Sequence, residues 1–321
     1  MAITTSSNPE FIHAQQYSSF VLTNLETMLL PEIFYRNVSD FGSGTTLNIK
    51  TVGSRTLQDV SENEDLTLNP IDSGNVTLTI SEHVGDAVYI TDEMKEDGDM
   101  VERLLMESAL ETQRLIAEDF QSTWLNAAYT AQTDGAANNI NSFPHRVTAS
   151  GGNDQITEAD LITMALSFDE ANISQNGRIL IVPPVVGATI NRLVTTSAGL
   201  DRTPMFQTAF ESGFVNENKF IGNIFGWDIY QSTLCPSIAA GAGDGTTTVA
   251  GAGRACIAMS VLDDNTKPLM SAWRRSPKTE GRRDPSKGGG RDELYTTARW
   301  GHGVQREDTL GVILVDASAT S

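Results

Sequence analysis

Histidine and cysteine are scarce in this 321-residue chain. The four histidines, His13, His83, His145 and His302, lie far apart. None has a second His or Cys at metal-ligand spacing, so no metal site is expected. The two cysteines, Cys235 and Cys256, are too few for a disulfide framework, and each reads as a small buried hydrophobe in a reduced setting. The G-x-S-x-G nucleophile elbow and the G-x-x-x-x-G-K-[ST] phosphate loop are missing. The glycine-rich GDGTTTVAGAG has neither the lysine nor the strand-to-helix frame that cradles phosphate, and reads as a flexible surface loop. No apolar run reaches about 18 residues, so no transmembrane helix and no membrane partner are expected. The opening MAITTSSNPEFIHAQQ lacks the basic and apolar regions of a secretory signal. The acid pairs Glu62/Glu64 and Asp263/Asp264 lack calcium-loop spacing and read as solvated turns. These absences leave no catalytic residue, cofactor or metal ligand to expect.

Positive charge is scarce too: 22 Lys and Arg stand against 41 Asp and Glu, for a net charge of −19. Its distribution is uneven. Between Asp59 and Asp119 there are 17 acids and 3 bases; between Lys267 and Arg306 there are 10 bases and 4 acids. Blocks of opposite sign suit contact between copies, because complementary potentials favour encounter and fix register. The other reading is two solvated faces. The candidate contact residues are Arg55, Glu62, Glu64 and Asp65 around the acidic stretch, with Arg274, Arg275, Arg282, Arg283 and Arg291 in the basic one. The basic block, with Trp273 beside two arginines, could also meet phosphate backbones. Pairing with the acidic block of a neighbouring copy is favoured, since both blocks occur in one chain.

What is present is a large core, as a 39% hydrophobic chain of this length allows. The segment FIHAQQYSSFVLTNLETMLLPEIFYRN has helical spacing, with Phe20, Leu25, Met28 and Leu29 on one side and Pro31 as its stop. TTLNIKTV and NVTLTISEHVGDAVYITDE alternate, which predicts a long two-stranded β-arm whose tip spans Arg55 to Gly74; Val76, Leu78 and Ile80 share one face. Residues 99–130 predict a helix of roughly 45 Å, with Asp99 and Glu102 as a capping pair and Leu105, Ile116, Phe120 and Trp124 as its core side. Thr157 opens an amphipathic helix that leads into the strand RILIVP, then the helix VVGATINRLV and the strands of FIGNIFGWDIYQSTLCP and ACIAMSVLDD. From Lys267 the chain turns basic. Pro277 to Gly290 reads as a mobile loop, and TLGVILV as a strand docked in a sheet.

The stretches RILIVPPVVGATINRLV, GNIFGWDIYQST with its following proline, and RWGHGVQREDTLGVILV resemble those of tailed-bacteriophage major capsid proteins with the Hong Kong 97-type fold, over about residues 15–316. The resemblance implies an α+β fold with an N-terminal arm (1–45), an extended β-hairpin loop (46–98), a peripheral domain with a long spine helix (99–153), an axial domain (154–262) and peripheral C-terminal strands (263–321). It implies self-assembly as pentamers and hexamers into an icosahedral head around double-stranded DNA, bound without sequence specificity. The implied partners are further copies of the chain, a portal protein and, where present, a separate scaffolding protein and a decoration protein. The implied location is the virion, with assembly in the host cytoplasm. Some family members cross-link through a lysine on the extended loop. No lysine lies between Arg55 and Gly74, so non-covalent assembly is expected. Others carry a fused scaffolding segment; this chain starts at the arm, which implies a separate scaffold or none. An encapsulin-like compartment around cargo protein is the alternative, and a soluble α/β enzyme the third reading.

Overall fold

The computed structural model describes residues 29–39, 44–53, 57–60, 62, 65, 73–97, 101–132, 139–140, 143–196, 220–286 and 289–316. The predicted N-terminal helix, apart from its last residues, and the Asp99 cap predicted for the long helix lie outside these. The strands are β1 (Arg36–Asn37), β2 (Thr46–Val52), β3 (Ser73–Thr79), β4 (Glu82–Thr91), β5 (Asn139–Ile140), β6 (Phe143–Pro144), β7 (Arg146–Thr148) and β8 (Arg178–Val182) in the first part. Then come β9 (Phe220–Ile224), β10 (Trp227–Gln231), β11 (Ser237–Ile238), β12 (Gly253–Ser260), β13 (Leu269–Asp284), β14 (Arg291–Val304) and β15 (Leu310–Asp316). The α-helices are α1 (Asp92–Asp97), α2 (Val101–Ala131), α3 (Glu158–Glu170) and α4 (Pro184–Thr196).

Two sheets carry the architecture. A seven-stranded sheet runs β7-β15-β12-β8-β10-β9, with β11 added on β12. It draws β7 and β15 from outside residues 154–262. Strand β8 is buried along its whole length, and its alternate residues serve two cores. Ile179 and Ile181 pack with Phe120, Trp124 and Leu125 of α2 on one face. Leu180 and Val182 pack with Leu161, Met164 and Phe168 of α3 and Val186 of α4 on the other. A strand covered on both faces has no reason to alternate in polarity, hence the unbroken RILIV. Gly311 in β15 lets α3 close onto the sheet, since a Cβ there would lie 2.5 Å from Met164 Sδ. At the head of α3 the Asp160 carboxylate accepts from the Thr157 N–H and hydroxyl, both at 2.8 Å. At its far end the buried Arg178 side chain pairs with Asp169 at 2.6 Å and donates to Ser174 O at 3.0 Å, a cation placed where the helix carbonyls want one.

The second sheet, β1-β13-β14-β4, is built on one long antiparallel hairpin. Alternate residues of β13 and β14 face α2: Trp273 and Trp300 lie opposite each other, and Phe120 stacks on Trp273 with ring centroids 4.2 Å apart. The alternating run after Asn75 does not form one strand. It breaks at Ser81, so that β3 pairs with β2 in the extended hairpin while β4 pairs with β14.

Two loop expectations are corrected. Pro277 does not end a strand: β13 continues to Asp284, and β14 begins at Arg291. The ladder runs from Arg275↔Arg299 to Lys278↔Thr297, so two residues, Ser276 and Pro277, oppose Ala298 alone. A bulge of this kind tolerates a residue without an N–H. The GDGTTTVAGAG segment is also pinned rather than loose. Asp244 accepts hydrogen bonds from the backbone N–H of Thr148, Thr246 and Thr247, Arg146 Nε donates to Gly243 O at 2.6 Å, and Val249 is fully buried.

Candidate assembly surface

The register of the long hairpin sorts its charges onto two faces. Arg275, Lys278, Glu280, Arg282 and Asp284 of β13 stand opposite Arg299, Thr297, Tyr295, Glu293 and Arg291 of β14. This row lies on the side away from the tryptophans, hence away from α2. Several of its members hold each other: Lys278 pairs with Glu280 at 2.7 Å, Arg291 with Glu293 at 2.5 Å, and Arg275 donates to Thr297 Oγ1 at 3.2 Å. The Arg291 guanidinium also sits 5.0 Å from the centre of the Tyr89 ring, and Tyr89 is 61% exposed. Tyr295 donates its hydroxyl to Glu293, which holds that carboxyl below its ordinary range. Arg282 is exposed and makes no ion pair among the described residues.

Arg283, one residue on, belongs to the opposite face. There it meets the short helix α1, which joins β4 to α2. Asp92 accepts two hydrogen bonds from Arg283, at 2.6 and 3.2 Å, and Asp292 accepts one at 3.3 Å while also pairing with Lys95. The hydrogen bond from Lys95, aided by its charge and that of Arg283, holds the Asp292 carboxyl down.

Arg282, Arg283 and Arg291 thus gather at the free end of the hairpin. Arg274 and Arg275, both exposed, flank the bulges about seven residues back, roughly 25 Å along the strand. Of the acidic candidates, Glu62 and Asp65 are exposed on the loop between β2 and β3, where Leu57 is 102% and Val60 68% exposed. Arg55 and Glu64 lie outside the described residues. On α2, Ile116, Phe120 and Trp124 are buried, whereas Leu105 is only partly covered. The acidic face of α2 carries exposed apolar side chains as well, Leu104, Met106, Leu110 and Leu115. Sequence reading missed Asp92, Lys95, Asp292 and Tyr89 as members of this surface. No local pattern marks them, because their partners lie up to 202 residues away, the separation of Tyr89 from Arg291.

Among the described residues, no group of three or more His, Cys, Asp and Glu side chains gathers in a way that could hold a metal ion. No helix among them is long and apolar enough to cross a membrane. Among the described residues the surface offers charge, an exposed aromatic ring at Tyr89 and exposed apolar side chains, which is the chemistry of association.

A family model described as phage capsid protein matches residues 75–315. No curated protein matches the chain. Among solved structures, the mature capsid of bacteriophage PhiM1 is similar at 14% identity, with 94% of this chain and 92% of that one covered and a TM-score of 0.68. The capsid of cyanophage Pam1 is similar at 13% identity, 99% of each chain and a TM-score of 0.67. The capsid of a native GTA particle, computed with C5 symmetry, is similar at 12% identity, 97% of each chain and a TM-score of 0.62. At such identities the likeness is one of fold.

Proposed function

The chain belongs to the phage capsid protein family and has the Hong Kong 97-type α+β fold, and on that premise we propose that its copies close into an icosahedral head of pentamers and hexamers around double-stranded DNA. It is a major capsid protein, it assembles with its own kind, and its place is the shell of the virion. The observation that carries the reading is the family match across residues 75–315, which takes in α2, the seven-stranded sheet and the β13-β14-β4 part of the second. The role is structural, and no chemical step is assigned to it. Assembly takes place in the host cytoplasm. A portal protein and, where present, a scaffolding and a decoration protein complete the particle.

Within the shell, residues 1–45 act as an arm and 46–98 as the loop that reaches a neighbour. Residues 99–153 and 263–321 form the peripheral domain, and 154–262 the axial domain. The acidic loop, with Glu62, Glu64 and Asp65, docks on the arginines of a neighbour's hairpin: Arg274, Arg275, Arg282, Arg283 and Arg291. Charge complementarity supports this contact, and the exposed Leu57 and Val60 beside the acids add apolar area to it. With no lysine between Arg55 and Gly74, the contact is non-covalent. Native mass spectrometry of gently dissociated particles is expected to give five- and sixfold multiples of the 34.7 kDa chain. Dimers and trimers alone would refute the capsomer assignment. Removing residues 1–40 is expected to leave free capsomers, and intact shells from that variant would take the arm out of assembly.

A further inference from the structure

Arg283 already has partners inside its own chain. Its Nη2 donates to Asp92 Oδ2 at 2.6 Å, and its Nη1 to Asp92 Oδ1 at 3.2 Å and to Asp292 Oδ1 at 3.3 Å. The backbone entering β14 is shaped around this contact. The Asp92 N–H donates to Gly290 O at 3.1 Å, and Gly290 has φ +114°, a left-handed conformation. A Cβ at Gly290 would lie 2.5 Å from Asp92 Oδ2 and 3.0 Å from Arg283 Nη2, so no other residue fits there without breaking the contact. Yet the Arg283 side chain is 57% exposed, and its five-donor fork keeps part of its edge toward solvent.

We propose that the Asp92–Arg283 pair is an exchangeable latch, in which a carboxylate from the acidic loop of a second copy displaces Asp92 from Arg283 during assembly. This rests on the docking of loop on hairpin proposed above. The exchange trades one carboxylate for another, so it is close to balanced, and exposed ion pairs are weak enough to be traded. The partners left behind are provided for. Asp292 keeps Lys95, and the Asp92 carboxylate, 27% exposed, turns to water while its backbone N–H stays on Gly290 O. The incoming loop offers several acids, among them Asp59, Glu62 and Asp65, all exposed. Until a neighbour arrives, the latch occupies one of the arginines at the hairpin end and holds α1 against the turn. It therefore damps association of isolated subunits and ties the root of one loop to the seat of another.

The two ends of the latch have opposite expected effects on assembly, followed by light scattering of purified subunits at low salt. Asp92→Asn frees Arg283 and is expected to speed assembly about two- to fivefold; Arg283→Gln removes the seat and is expected to slow it by a similar factor. Slower assembly in both variants would reduce the pair to a structural joint and overturn the latch, and so would no change in either. A high-resolution map of the unaltered shell gives a second reading. Arg283 against a carboxylate of another copy supports the exchange, and Arg283 still on Asp92 refutes it. The double variant Glu62→Gln, Asp65→Asn separates the two ideas. If it assembles normally, the docking itself is wrong; if it is slow while Asp92→Asn is also slow, only the latch fails.

Discussion

Acidification tests how α2 is fastened to the hairpin sheet. His302 of β14 lies beneath the helix, with Nε2 3.1 Å from Thr123 Oγ1, Nδ1 2.8 Å from Ser271 Oγ and its ring edge-on to Phe120 at 4.7 Å. The Thr123 hydroxyl donates to Asp119 O at 2.8 Å, so it accepts from the imidazole N–H, and the Ser271 hydroxyl donates to the other nitrogen. A neutral ring satisfies every group, and charging it would place a cation in a site shut off from water. Burial accordingly pulls the His302 pKa from 6.5 down to about 4, against a smaller upward pull from the Phe120 backbone. Above pH 6.5 the ring is neutral in folded and unfolded chains alike, and stability does not depend on pH through it. Between pH 6.5 and 4 the unfolded chain binds a proton that the folded one refuses, so stability falls as pH falls. At about 1.4 kcal/mol per pH unit, the loss over that window is about 3 kcal/mol. Urea denaturation of dissociated subunits at pH 7, 5.5 and 4, for the natural chain and for His302→Gln, isolates this part from other groups. His145, also held down by burial, titrates in both proteins and cancels. The variant is expected to be less stable at pH 7 but to lose about 3 kcal/mol less on going to pH 4. Equal losses would refute the reasoning.

Trp124→Ala removes a 2%-exposed ring from the core under α2 and is expected to cost about 3–5 kcal/mol in denaturant unfolding. Its indole N–H has no partner among the described residues, so the loss is one of packing alone. Asp244→Ala strips acceptors from the N–H groups of Thr148, Thr246 and Thr247, with an expected loss of about 1–3 kcal/mol. Partial burial raises the Asp244 pKa, but those hydrogen bonds outweigh it and set it below 3.8; its contribution is present above 3.8 and disappears as pH falls below that value. Acid titration of the unfolding midpoint below pH 4 should therefore be shallower in the variant. Arg282→Glu should leave subunit stability within about 0.5 kcal/mol while lowering particle yield most at low salt. Unchanged yield would remove Arg282 from the interface.

Much of the frame was legible because it rests on local rules. The period of α2 and the Thr157 cap are written within a turn or two of sequence, and RILIV and TLGVILV are apolar throughout because both faces of their strands are covered. What escaped depends on partners distant in sequence. Pro277 and the nearby glycines signal a loop, yet the ladder to β14 holds the strand through a bulge. Asp244 turns a glycine-rich segment into a fixed corner only because Thr148 lies beside it, 96 residues back. The alternation from Val76 to Ile90 shows two runs but not that they serve different sheets. The basic block was visible as composition. Its division into an outer row with Arg282 and an inner contact of Arg283 with Asp92 follows from register, which one-dimensional charge counting does not contain.

Electron microscopy of the purified protein after gradient sedimentation, expressed alone and together with the neighbouring structural genes of its source, tests the central claim most directly. The account predicts closed particles tens of nanometres across, built of five- and sixfold capsomers. Soluble monomers under every one of these conditions, at concentrations where shells would form, would contradict it.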